Sequence, residues 1–286
     1  MLDHALTWRT LHVDGVTVTD VDGRNSDDGK VFVVAQGFHA CADAFEMQRF
    51  ALMARRLEAR LVVVDTPGFG CAPTRLGRAE RRALLRGDFR PLAARMLAAA
   101  RTVAGEESGI IGYSMGTSVG TAMAAVAQNP LEALVLFEPV ALRPWTMPGL
   151  YAATRFEDRH MPGYLAETRA VEGAVERPGD PANRRVDDLA LLANALRKQR
   201  LVPDALDAAA RLRRVVIVQG DDSYLSKRKD LPKLTRALET ARVPAHVVRT
   251  PGHHSFWQSL PRMARIIDQV AGLLRTARPS GAPAPR

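Results

Sequence analysis

The stretch that decides how this chain reads is Gly109-Ile110-Ile111-Gly112-Tyr113-Ser114-Met115-Gly116-Thr117, which runs on into SVGTAMAAVA at 118–127. An apolar run of strand length meets a serine set between two glycines, and a helical stretch starts directly after it. A serine on so tight a strand-to-helix turn sits in strained backbone geometry, and only small neighbours let the two segments approach. The turn leaves the hydroxyl at a helix N-terminus, where free N–H groups and partial positive charge stabilise a developing oxyanion. Ser114 is therefore the candidate nucleophile.

Working outward, short apolar runs alternate with longer helical stretches, the pattern of a largely parallel sheet flanked by helices. The runs are VFVVAQG (31–37), LVVVDTPG (61–68), GIIGYS (109–114), ALVLFEP (133–139), VVIVQGDD (215–222) and HVVRTPG (246–252). Each is apolar on both faces, as a strand covered on two sides requires, and each ends in residues that turn the chain. Before them, WRTLHV and VTVTDV flank Asp14-Gly15 and read as a hairpin, bringing the expected sheet to eight strands. Helices are expected at about 43–58, 79–104 with a break near Gly87 and Pro91, 115–128, 228–242 and 255–275. The stretch 142–211 has no central-strand run and carries helical periodicity broken by Pro144, Pro148, Pro162, Pro178 and Pro181, so it reads as a helical lid inserted in a core formed by 1–141 and 212–276. The Pro-rich end, 277–286, reads as a disordered tail.

The order of these features resembles the α/β-hydrolase superfamily, in its serine-nucleophile, lid-bearing branch, over nearly the whole chain. The resemblance implies a mostly parallel, eight-stranded twisted sheet. It also implies an acid after the penultimate strand and a histidine after the last, and Asp221-Asp222 and His253-His254 follow Ser114 in that order. Pro251-Gly252-His253-His254 looks like the family's Gly-His loop, in which the histidine directly after glycine is the base, so His253 is the expected base. The family turn usually reads Gly, two variable residues, then Asp, whereas the third residue after Gly220 here is Ser223. Asp222 is taken as the acid on reach, with Asp221 next and Glu138 third. The oxyanion donors implied are the backbone N–H groups of Phe38 and Met115. Where the family often shows His-Gly before the first of these, this chain has Gln36-Gly37, so Gln36 or His39 would have to brace the loop. Asp65-Thr66-Pro67-Gly68-Phe69-Gly70 matches the family's turn after the fourth strand and supports the fold.

The implied chemistry is hydrolysis of a small or medium carboxylic ester, thioester or lactone through an acyl-enzyme, without cofactor or metal. C–C bond hydrolysis or acyl transfer on the same residues, or ligand binding with vestigial turnover, are the other outcomes this fold allows. In the insertion, Trp145, Met147, Tyr151, Phe156 and Tyr164 are candidates to wall an apolar pocket, and Arg143, Arg155, Arg159 and Arg169 to meet a carboxylate.

Composition excludes other classes. With 286 residues, 47% hydrophobic and 25% charged, the chain is long enough for one sizeable core and is neither fibrous nor disordered. The net charge of +9 invites a nucleic-acid partner, but 35 of the 40 basic residues are Arg spread along the chain, several of them on helical faces, with no compact reader cluster, so none is expected. No apolar run is long enough for a membrane span, and no basic-then-apolar leader opens the chain, so a cytoplasmic protein without membrane contact is expected, free to form a homo-oligomer. Cys41 and Cys71 are too few to staple a fold of this size and read as small packing residues in a reducing compartment.

Overall fold

Two faces of apolar side chains on the same strands require cover on both sides, and the computed structural model shows how that cover is arranged. It describes residues 8–24, 29–38, 40–68, 74–178, 185–198 and 200–276. Strands β1 (Trp8–Val13) and β2 (Val16–Asp22) form the hairpin, with Asp14 and Gly15 both at positive φ, as a two-residue primed turn needs. The remaining strands are β3 (Lys30–Ala35), β4 (Ala59–Val64), β5 (Gly109–Tyr113), β6 (Ala133–Phe137), β7 (Val215–Gly220) and β8 (Ala245–Thr250). They lie in the order β1-β2-β4-β3-β5-β6-β7-β8, with β1, β2 and β4 paired antiparallel and every pair from β4 to β8 parallel.

Side chains alternate between the faces. Val33, Ile110, Leu134 and Ile217 point to one core, which is shared with α3 (Arg90–Ala104), α4 (Met115–Val126) and α8 (Leu201–Ala208). Phe32, Ile111, Val135 and Val216 point to the other, shared with α1 (Ala44–Leu57) and α10 (Leu260–Arg275). The helical stretch expected at 79–104 is α2 (Arg78–Leu85) followed by α3, separated by a turn in which Gly87 takes positive φ. α9 (Leu231–Thr240) completes the flanks.

The expected insertion contains α5 (Met147–Asp158), α6 (Met161–Arg169), α7 (Val186–Leu196) and α8. Its last helix packs on α4 and α9 at the flank of the sheet. The proposed tail, 277–286, lies outside the described residues.

The chain leaves β3 for β4 on one side and returns to β5 on the other, so the order reverses between β3 and β5. Open α/β sheets form their crevice at the carboxyl ends of strands around such a switch point. Among the described residues no helix is long and apolar enough to cross a membrane.

Candidate active site

The elbow stands at that switch point. Ser114 follows β5 with φ 56° and ψ −119°, a conformation that an L-residue holds only where its surroundings impose it. Here the surroundings are backbone. A Cβ on Gly112 would lie 2.3 Å from the Gly116 carbonyl oxygen, and one on Gly116 would lie 2.0 Å from that of Ala35. The helix start is thus pressed against the end of β3. The Ser114 N–H donates to the Phe137 carbonyl at 2.9 Å, and its carbonyl accepts from the Thr117 hydroxyl at 2.6 Å.

The hydroxyl meets His254. Ser114 Oγ and His254 Nε2 are 2.8 Å apart, and His254 Nδ1 is 2.8 Å from Glu138 Oε2. With the ring proton on Nδ1 donated to Glu138, Nε2 is left as the acceptor for the serine proton. Glu138 is fully buried and follows β6 at φ 58°. Its Oε1 accepts the Gly220 N–H, and its Oε2 also accepts the Ser223 hydroxyl at 2.6 Å. A buried carboxylate is tolerated when its lone pairs are filled in this way.

Two expected residues are therefore corrected. His253 does not reach Ser114: its N–H donates to the Tyr164 hydroxyl at 2.7 Å, and its ring stacks on His160 with centroids 3.5 Å apart. The cause is local backbone. Gly252 has φ 115°, His253 is extended, and a 3₁₀ turn opening at His254 swings that second ring toward the elbow. Asp222 is not the carboxylate that meets the imidazole. It is exposed, and its backbone N–H is tied to the Gly252 carbonyl at 3.0 Å. Asp221 is exposed as well and paired with Arg249. At the position where the family turn carries its acid, Ser223 instead serves as a donor to an acid that comes from the preceding strand.

The turn carrying His254 is held from two directions. Beneath it, the buried Arg49 of α1 donates to the carbonyls of Trp257 at 2.9 Å and Gln258 at 2.7 Å. Burial lowers the pKa of this guanidinium, countered by the nearby charge of Glu46. From above comes Glu157, in the last turn of α5. Its Oε2 accepts the His254 N–H at 3.0 Å and its Oε1 accepts the Tyr224 N–H, so one carboxylate from the insertion clasps both the histidine turn and the loop after β7. Glu157 is 1% exposed. A carboxylate at a helix C-terminus opposes the macrodipole, and that misplacement was the available signal for a role that sequence reasoning missed.

On the opposite side of Ser114, Gly37 packs so closely that a Cβ there would lie 2.9 Å from the Tyr113 ring. The loop after β3 is braced by Gln36, whose Nε2 donates to Asp65 Oδ1 at 2.5 Å, and by the Ala42 N–H, which donates to the same oxygen at 3.0 Å. Asp65, expected only to mark a turn, is thus part of the site's frame. Burial pushes its carboxyl up to about 7, against the lowering effect of those two hydrogen bonds. His39, the other candidate brace, lies outside the described residues. Cys41, read as a small core or loop residue in a reducing compartment, is buried and disulfide-bonded; Cys71 lies outside the described residues.

A cavity of about 590 Å³ opens at the serine, with Phe38, Ser114, Val140, Leu150, Leu196 and Leu225 among its lining residues. Met147 and Tyr151 of the insertion also line it, while Trp145 is buried under Arg143 and Tyr164 is buried against Gly252. Arg155 lines it too, whereas Arg143, Arg159 and Arg169 do not. Among the described residues no cluster of His, Cys, Asp or Glu could hold a metal ion.

A serine on a strand-to-helix elbow, an imidazole from the last loop and a buried carboxylate at one carboxyl edge define a nucleophile-elbow α/β protein. The chain belongs to the alpha/beta hydrolase family, whose model matches residues 31–268. No curated protein sequence matches it. Its fold is similar to that of the enol-lactonase from Burkholderia xenovorans LB400, at 16% identity and a TM-score of 0.69, covering 94% of this chain and 100% of that one. A hydrolase from Pseudomonas aeruginosa PA01 is similar at 18% identity and a TM-score of 0.65, covering 96% and 100%. The thioesterase domain from the curacin biosynthetic pathway is similar at 17% identity and a TM-score of 0.56, covering 96% and 100%.

Proposed function

We propose that the protein is a serine hydrolase that cleaves a small or medium carboxylic ester, thioester or lactone through an acyl-enzyme. The observation that carries this reading is the hydrogen-bonded chain Ser114–His254–Glu138, with 2.8 Å at both links to the imidazole. Ser114 Oγ attacks the acyl carbon while His254 Nε2 takes its proton; the imidazolium then protonates the leaving group, and a water repeats the sequence to release the acid. Glu138 orients the ring and stabilises its positive form without taking the proton. The N–H groups of Met115, at the start of α4, and of Phe38, in the loop braced by Gln36 and Asp65, are the proposed oxyanion donors. The helices α5, α6 and α7 act as the lid, each contributing side chains to the cavity wall and keeping water from the acyl-enzyme. The enol-lactonase and thioesterase among the similar folds act on substrates of this class.

A fluorophosphonate probe tests the reading. Covalent labelling of the wild type that is lost in Ser114→Ala supports it, and folded wild-type protein that resists labelling contradicts it.

A further inference from the structure

The cavity at Ser114 has a wall of two kinds of side chain. Val140, Leu150 and Leu196 in its wall are buried and apolar, whereas Arg155 and Arg177 line it from exposed positions. The two arginines are not equivalent. Arg155 has Asp158 at 3.5 Å, one turn along α5 and also in the cavity wall. The Arg177 guanidinium has no acid partner among the described residues, and its one side-chain hydrogen bond goes to the sulfur of Met161. Glu46 feels the Arg177 charge, but it is buried and already accepts the Trp257 indole N–H at 2.9 Å.

A thioether is a weak acceptor, whereas a guanidinium presents five donors in a planar fork suited to a carboxylate. A substrate carboxylate at this position would displace no ion pair among the described residues. A neutral ligand would leave the donors of Arg177 to water. We infer that the substrate carries a free carboxylate, met by Arg177, on the arm that lies along the cavity, with a short hydrocarbon spacer against the apolar side chains of the wall. This rests on the hydrolase reading and deepens it by naming the substrate class: monoanionic esters, thioesters or lactones.

The test compares two substrates of similar size, 4-nitrophenyl hydrogen glutarate and its neutral methyl ester, by kcat/KM in the wild type, Arg177→Gln and Arg155→Gln. The wild type should prefer the anion by about 10- to 100-fold, the scale of a charge-assisted hydrogen bond, and the preference should shrink with added salt. Arg177→Gln should abolish the preference while changing the neutral ester less than about twofold, and Arg155→Gln should retain most of it. Equal turnover of the two esters by the wild type overturns the inference. So does a preference that survives in Arg177→Gln, or one lost in Arg155→Gln alone. Protein that labels with fluorophosphonate yet hydrolyses neither ester also overturns it while leaving the nucleophile standing; protein that neither labels nor hydrolyses removes the hydrolase reading as well.

Discussion

The carboxyl edge of the sheet and the insertion above it solve different physical problems. At the edge, position is imposed by backbone: a Cβ on Gly112 or Gly116 would run into main-chain atoms that no side chain could displace. In the insertion, position depends on side chains. α5 is tied to the catalytic loops through Glu157, and to His253 through a stacked imidazole from His160 just beyond its end. The first kind of constraint persists as long as the sheet does. The second can be released by a single substitution without unfolding the core. Chemistry should therefore fail abruptly when edge residues change and in graded fashion when insertion residues change.

A large effect separates two acids at the edge. Glu138→Gln should keep the shape but lose the charge and favour the wrong ring tautomer, lowering kcat by about 10⁴-fold. Asp222→Asn, on an exposed turn, should change kcat less than about threefold. Equal losses in the two variants would break the assignment of the buried carboxylate.

Glu157→Gln addresses the seam between the regions. One side-chain oxygen remains an acceptor, while the new NH₂ faces a backbone N–H that had been paired. Losing one charge-assisted bond costs about 1.5–3 kcal/mol, so kcat should fall about 10- to 100-fold while fluorophosphonate labelling persists at a reduced rate. Unchanged kcat would show that the insertion does not hold the histidine turn.

A further effect concerns stability and pH, not turnover, and belongs to the edge alone. Asp65 titrates near 3.8 when unfolded and at about 7 when folded, so between those values the native state binds the extra proton. Its contribution to stability is present at low pH and is lost as pH rises through that window, with a slope of at most about 1.4 kcal/mol per pH unit. Asp65→Asn keeps the accepting oxygen and never ionises. The stability of this variant relative to wild type, read by denaturant unfolding, should therefore rise from pH 4 to pH 7 and then level. A gap that stays constant with pH would show that Asp65 is ionised throughout.

The same contrast explains what could be read without coordinates. The strands and the elbow were legible because two-faced apolar runs and a serine between glycines are local patterns whose consequences are local. The hairpin at Asp14-Gly15 was legible for the same reason. Which of the two adjacent rings meets Ser114 was not legible, because the choice between His253 and His254 depends on the positive φ of Gly252 and on Tyr164, about ninety positions earlier. The carboxylate beside the ring was not legible either, because Ser223 stands where the family turn carries one, and its meaning emerges only with Glu138 across the strand pair. Asp65 was noticed as part of a turn, but its bonds to Gln36 and Ala42 join segments that only the sheet brings together. Contacts of this kind have no signature in spacing.

The two adjacent histidines offer the most direct test of the account. Ester hydrolysis by His254→Ala and His253→Ala should be measured side by side, with thermal unfolding to confirm that both variants fold. His254→Ala should lose about 10⁴- to 10⁶-fold in kcat, and His253→Ala less than about tenfold. The reverse ranking, or two equal losses, would contradict a relay that runs from Ser114 through His254 to Glu138.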